Sequence, residues 1–216
     1  MKFLLTSAGL SNKSLKETFL NLVGKPAKKI KVSFIPTAAN IFPGDKSWLI
    51  KDLAALIEIG TQVDIVDISA LPIEIIKTRL EDTDVLFFEG GSEFYLMEQI
   101  IKSGLDKLLP NLLASRLWVG VSAGSMVPGL HLLVSNNDLY EEPIGTNKDM
   151  AGLRFINFNV LPHLDSKFFP GMRVRNIKKM ANKDNYPAYV IDDNTGIIVN
   201  DNKIQIVSEG KWIELK

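Results

Sequence analysis

Short apolar runs along this chain alternate with longer stretches in which apolar residues return at helical spacing. That alternation is the pattern of a mostly parallel sheet flanked by helices. Strands are expected at residues 2–7, 31–36, 62–67, 84–89, 117–121, 155–161, 189–192, 196–199, 204–207 and 212–215. Helices are expected at 14–23, 46–59, 73–81, 93–105 and 173–182. In the second of these, Leu53, Leu56 and Ile57 fall on one face, as a core-facing stripe requires. Over about the last forty residues the pattern changes. Asp201-Asn202 and Glu209-Gly210 are turn candidates between short strands. An antiparallel meander is therefore expected to join the parallel sheet at its C-terminal end. No linker-like or low-complexity run interrupts the pattern, so residues 1–216 are expected to form a single α/β domain.

Four expected strand ends carry loops of small and polar residues. They are Ser7-Ala8-Gly9-Leu10, Thr37-Ala38-Ala39-Asn40, Glu89-Gly90-Gly91-Ser92 and Gly120-Val121-Ser122-Ala123-Gly124. In open α/β sheets the ligand crevice lies outside the carboxyl ends of the strands. The four loops are thus expected to meet at one site.

Composition narrows what that site can do. Apolar residues make up 46% of the 216, enough for a sizeable core. The 25 basic and 25 acidic side chains cancel, and no long run of one sign points to nucleic acid or a membrane surface. The absence of cysteine excludes disulfides, thiolate metal sites and a cysteine nucleophile. With only two histidines, His131 and His163, a multi-histidine metal site is not expected. The apolar run at residues 3–5 is too short for a signal segment and reads as a first strand. No stretch approaches the ~20 apolar residues of a membrane span. A cytoplasmic protein is expected.

Gly120-Val121-Ser122-Ala123-Gly124 is a G-x-S-x-G pentapeptide after an apolar strand. That is the pattern of a nucleophile elbow, in which a serine sits on a sharp strand-to-helix turn with glycines where a Cβ would collide. A serine nucleophile needs a base, and the base needs an orienting group. His163, just beyond an expected strand, is the candidate base. His131 sits in the apolar run Leu130-His131-Leu132-Leu133 and reads as structural. Two loop aspartates can orient the base, Asp193 at a strand end and Asp138 in the stretch after the elbow. An oxyanion hole needs two backbone donors. Ala123 offers one, and Gly91 or its neighbour Gly90 offers the other. The competing reading of Gly90-Gly91 is a phosphate cradle, but neither nucleotide-binding glycine motif is present.

These pieces together resemble the peptidase E family of serine peptidases, the aspartyl dipeptidases, with cyanophycinase as a relative. The resemblance is carried by Thr6-Ser7-Ala8-Gly9-Leu10, by Phe88 through Leu96, by Gly120 through Ser125, by Leu161-Pro162-His163 and by Ile191 through Gly196. They fall in family order along most of the chain. The resemblance implies a flavodoxin-like or class I glutaminase-like three-layer sandwich, no cofactor, and cleavage of small peptides. It implies Ser122 as nucleophile and His163 as base. The third member in the family is usually a glutamate, one methylene longer than Asp193, and Asp138 is the nearest match to an alternative aspartate. The family's Gly-Gly-Asn-Thr stands here as Gly90-Gly91-Ser92-Glu93. Arg173 and Arg175 are the counterparts of arginines that hold the substrate's aspartate.

Two other readings stay open. An α/β-hydrolase esterase would have the chain order Ser122, Asp138, His163, although the short interval from Ser122 to His163 leaves little room for the usual intervening units. A non-catalytic small-ligand-binding domain on the same scaffold would leave Ser122 structural. The oligomeric state is not legible in the sequence.

Overall fold

Consecutive apolar residues suit strands buried on both faces, and the core of this protein is built that way. The computed structural model describes residues 1–133, 137–140, 149–184, 186–201 and 203–215, and for 137–138 and 181–184 it describes the backbone alone. The first half runs β1 (Lys2–Thr6), α1 (Lys13–Val23), β2 (Lys31–Ile35), α2 (Ser47–Ile59), β3 (Gln62–Ile65), α3 (Ile73–Glu81), β4 (Val85–Phe88), α4 (Glu93–Ser103) and α5 (Leu105–Leu112). It continues with β5 (Leu117–Val121), α6 (Ala123–Met126), β6 (His131–Leu132), α7 (Asn137–Tyr140), β7 (Met150–Ala151) and β8 (Asn159–Leu161). The chain closes with α8 (Val174–Asp184), β9 (Ala188–Ile191), β10 (Thr195–Asn200), β11 (Lys203–Ser208) and β12 (Trp212–Leu215).

Seven strands form the main sheet in the order β11-β10-β1-β5-β4-β2-β3. The five from β1 to β3 in that order are parallel, and the β10–β11 hairpin is antiparallel at one edge. Side chains alternate between the faces. Leu117 and Val119 of β5 point to the face covered by α1 and α2, where Leu15, Phe19 and Leu56 are fully buried. Trp118, with Phe3 and Phe88, points to the other face, against Ile76, Leu80, Leu96, Ile100 and Leu109 of α3, α4 and α5. The mostly parallel, helix-flanked sandwich is as expected.

Three local expectations are revised. The C-terminal strands do not form one meander. β10 and β11 join the main sheet, whereas β12 pairs with β9 in a separate sheet ordered β12-β9-β8. Expected helix 93–105 ends at Ser103, because Gly104 at φ 79° caps it, and α5 begins at once despite Pro110. Of expected strand 155–161 only Asn159–Leu161 pairs. Arg154 has φ 56°, and the Phe155 and Ile156 N–H groups both donate to the Pro128 carbonyl, so that stretch is a turn.

Register brings the strand ends level. Thr6 lies opposite Val121, and Phe88 opposite Gly120. Ser7, Glu89 and Ser122 therefore leave the sheet along one edge. In the smaller sheet β8 and β9 run parallel, with Leu161 opposite Val190. His163 and Asp193 each follow their strand by two residues. The elbow depends on close approach of backbone: a Cβ on Gly124 would overlap the Phe88 carbonyl, which no side-chain movement can relieve. Gly124→Ala is expected to cost about 1–3 kcal/mol or more, read as a lowered urea midpoint. A wild-type midpoint would mean that the elbow and β4 are not in contact.

Candidate active site

Ser122 caps α6 at the end of β5 with φ 47° and ψ −110°. A residue with a side chain rarely adopts such angles, and the surroundings hold it there. Its N–H donates to Thr6 O at 3.0 Å, and Ser125 Oγ donates to the same carbonyl at 2.8 Å. Trp118 Nε1–H donates to Gly124 O at 3.0 Å while its ring stacks on Phe88 at 3.8 Å. A Cβ on Gly120 would overlap the Gly124 carbonyl. The G-x-S-x-G spacing is thus required by sterics on both sides of the serine.

Ser122 Oγ lies 2.8 Å from His163 Nε2, and His163 Nδ1 lies 2.7 Å from Asp193 Oδ1. A carboxylate is an acceptor only, so Nδ1 carries the proton and Nε2 is free to accept from the serine. The shorter aspartate reaches the imidazole directly. Burial works against ionisation of Asp193, but hydrogen bonds from His163, Ser7 and Ser166 and the charge of His163 outweigh it and hold the carboxyl below its ordinary value. His163 itself has φ 67° and is packed by Phe169, stacked at 4.2 Å, and by the edge of Tyr140 at 6.5 Å. Its side chain is only 12% exposed.

The glycine loop faces the serine. A Cβ on Gly90 would lie 3.4 Å from Ser122 Cβ and 3.5 Å from the Trp48 ring, so Trp48 of α2 walls this side. Gly91 has φ 136°, and its approach to the Ala38 carbonyl leaves no room for a side chain. Ser92 N–H donates to that same carbonyl at 3.0 Å. Among the described residues, the N–H groups of Ala123 and Gly91 have no acceptor. No group of three or more acidic or histidine side chains among the described residues can hold a metal ion.

A model of peptidase family S51 matches residues 3–207. The chain belongs to that family. Its members are serine-type peptidases. The chain is 25% identical over 195 residues to an uncharacterized peptidase of Pasteurella multocida, covering 88% of this chain and 90% of that one. It is 27% identical over 188 residues to an uncharacterized peptidase of Listeria monocytogenes, covering 85% and 86%. It is 30% identical over 96 residues to peptidase E of Shewanella oneidensis, covering 44% and 39%. The fold is similar to the crystal structure of a Listeria monocytogenes protein assigned to peptidase E, with a TM-score of 0.79 at 21% identity over 97% of this chain and 98% of that one. A peptidase from an acI-B1 actinobacterium has a TM-score of 0.73 at 20% identity, covering 100% and 90%.

Within this S51 chain the other sequence candidates are placed as follows. Arg173 is turned inward: Nη1 donates to the carbonyls of Ser166, Phe169 and Met172 at 2.9, 3.4 and 3.4 Å. Through Nη1 it braces the loop that carries Phe169 onto His163. Arg175 is exposed on α8. The side chain of Asp138 lies outside the described residues. His131 is remote from the relay in its contacts, stacked on Tyr186 at 4.3 Å with its N–H on Asn159 Oδ1. A groove of about 760 Å³ lies at the opposite end of the sheet, beside the starts of β1, β2, β4 and β5. Several of its charges are paired, as in Lys31–Asp82 at 2.9 Å and Lys25–Asp84 at 2.5 Å.

Two features escape sequence reading. Ser7 sits in a quoted motif, yet its contacts with both His163 and Asp193 are tertiary. Asp52 and Glu89 face each other behind the glycine loop, and Glu93 is buried at the start of α4. Glu89 and Glu93 are fully buried, and both oxygens of Glu89 and Oε1 of Glu93 have no hydrogen-bond partner among the described residues. Burial, aided by the facing Asp52, pushes Glu89 well above its ordinary value. Burial raises Asp52 to about 6 and Glu93 to about 7. The native state therefore keeps protons that the unfolded chain releases. This part of the stability is complete below about pH 4 and is lost as pH rises through 6 to 7. Glu93→Gln removes the charge and keeps the shape. It is expected to be more stable than wild type at pH 8, by on the order of 3 kcal/mol, and to show no gain at pH 4. A difference independent of pH in denaturant titrations would contradict a buried, protonated Glu93.

Proposed function

We propose that this S51 peptidase cleaves small peptides with free N-termini through an acyl-enzyme formed on Ser122. The observation that supports this most directly is the unbroken relay Ser122 Oγ–His163–Asp193, with links of 2.8 and 2.7 Å, seated on an elbow. His163 Nε2 takes the Ser122 proton as Oγ attacks the scissile carbonyl. Asp193 holds the imidazole in the required tautomer and stabilises the imidazolium. The N–H groups of Ala123 and Gly91 bind the oxyanion, with Gly90 setting the approach of the loop. His163 then protonates the leaving amine, and water releases the product acid. No cofactor takes part in these steps.

Residues 1–216 act in this reading as one catalytic unit with a small peptide as its only ligand. A carboxylate on the substrate's first residue is assigned to Arg175, since Arg173 Nη1 is engaged with carbonyls.

The test is hydrolysis of a panel of short peptides, Asp-X dipeptides included, by wild type, Ser122→Ala and Asp193→Asn. Both variants are expected to lose at least about 10³-fold in kcat with the fold intact. Cleavage that survives Ser122→Ala would overturn the assignment, and hydrolysis of simple esters with no peptide cleaved would favour the esterase reading. If acidic first residues are preferred, Arg175→Ala is expected to lower kcat/KM for Asp-X about tenfold or more and to spare neutral peptides. An equal effect on both would remove Arg175 from substrate recognition.

A further inference from the structure

Ser7 follows β1 directly, is fully buried, and meets both His163 and Asp193. Its Oγ donates to Asp193 Oδ1 at 2.7 Å, the same oxygen that binds His163 Nδ1. The His163 backbone N–H donates to Ser7 Oγ at 2.8 Å. His163 Nδ1 is 3.2 Å from that Oγ.

A hydroxyl has one proton to give. Because Ser7 gives it to Asp193, it faces His163 with lone pairs alone. An unprotonated Nδ1 would then point its own lone pair at two oxygen acceptors at once. A protonated Nδ1 satisfies both. The backbone contact does a second thing: it fixes His163 at φ 67°, a conformation that a histidine adopts only with support.

We propose that Ser7 is a positioning residue of the active site, which anchors the His163 backbone and the Asp193 carboxylate and so lets Asp193 keep His163 in the Nδ1–H tautomer, with Nε2 facing Ser122 unprotonated. The proposal rests on the catalytic reading of Ser122 and His163 for its kinetic consequence, but its structural consequence is independent of it. Ser7 makes no contact that would bind substrate, so its loss acts on turnover and not on affinity. Ser7→Ala leaves the Asp193 carboxylate with one donor fewer and the buried His163 N–H without an acceptor.

The chain has two histidines, so selective ¹⁵N-histidine labelling gives a spectrum in which His163 is assigned by its absence from His163→Ala. In wild type the His163 ring is expected as the Nδ1–H tautomer at pH 8. In Ser7→Ala the His163 backbone and the Asp193 carboxylate both lose their Ser7 contact, so the Asp193–Nδ1 pair is no longer held together and the ring is expected as a mixture with the Nε2–H form. With the best peptide of the panel, Ser7→Ala is expected to lose kcat by about ten- to a hundredfold with KM changed less than about twofold. Ser7→Thr, which keeps the hydroxyl, is expected to hold the tautomer and recover most of the rate. An unchanged His163 spectrum in Ser7→Ala, or a wild-type ring already in the Nε2–H form, would overturn the proposal. A wild type that cleaves no peptide would instead overturn the peptidase substrate reading, and the spectrum would still decide the role of Ser7.

Discussion

The site depends on the backbone of Ser122 staying at φ 47°, ψ −110°. Such a conformation costs roughly 1–3 kcal/mol and persists only when its surroundings over-determine it. Here they do so from three strands. Thr6 of β1 supplies the carbonyl for both Ser122 N–H and Ser125 Oγ. Phe88 of β4 closes against Gly124, and Trp118 of β5 ties the Gly124 carbonyl from below. Glycines at 120 and 124 remove the two Cβ atoms that would push the turn open. The placement of the half-buried serine is thus a consequence of how tightly the neighbouring backbones pack.

The partners of the serine arrive from elsewhere. The main sheet delivers Ser122 and the glycine loop, while the small sheet delivers His163 and Asp193 from two parallel neighbours. Both sets end at one level because each residue follows its strand by one or two positions. His163 is itself held in the left-handed region, by the Ser7 contact and by the Phe169 stack. Arg173 supports that stack at one remove, through the carbonyls of the loop. Ser122, His163 and Asp193 are therefore held in place by the fold's own contacts, and such preorganisation is the condition for a low reorganisation cost in a transition state.

Much of this was legible in the sequence because local rules and tertiary structure agree. Runs such as Val85–Phe88 and Leu117–Val121, short and bounded by turn signals, read as buried strands, and the pentapeptide around Ser122 has a steric reason for each glycine. His163 and Asp193 were legible by their position just past strands. What was not legible required tertiary knowledge. Trp212 to Leu215 alternates like any edge strand, and nothing local says that it pairs with β9 and not with β11. Pro110 and Gly104 conceal α5, whose stability comes from burying Leu105, Leu109 and Leu112. Nothing local to Arg173 says that the carbonyls of Ser166, Phe169 and Met172 fold back onto its Nη1. Glu89 and Asp52 are distant in sequence and look like surface acids, yet they face each other behind the glycine loop.

We hold that the relay makes Ser122 a nucleophile, a claim that can be measured without knowing the substrate. A fluorophosphonate reacts with an activated serine whatever peptide the enzyme prefers. Intact mass and peptide mapping are expected to show one adduct, on Ser122, and His163→Ala is expected to slow its formation at least about a hundredfold. A folded wild-type protein that takes no adduct, or takes it on another residue, would contradict the claim.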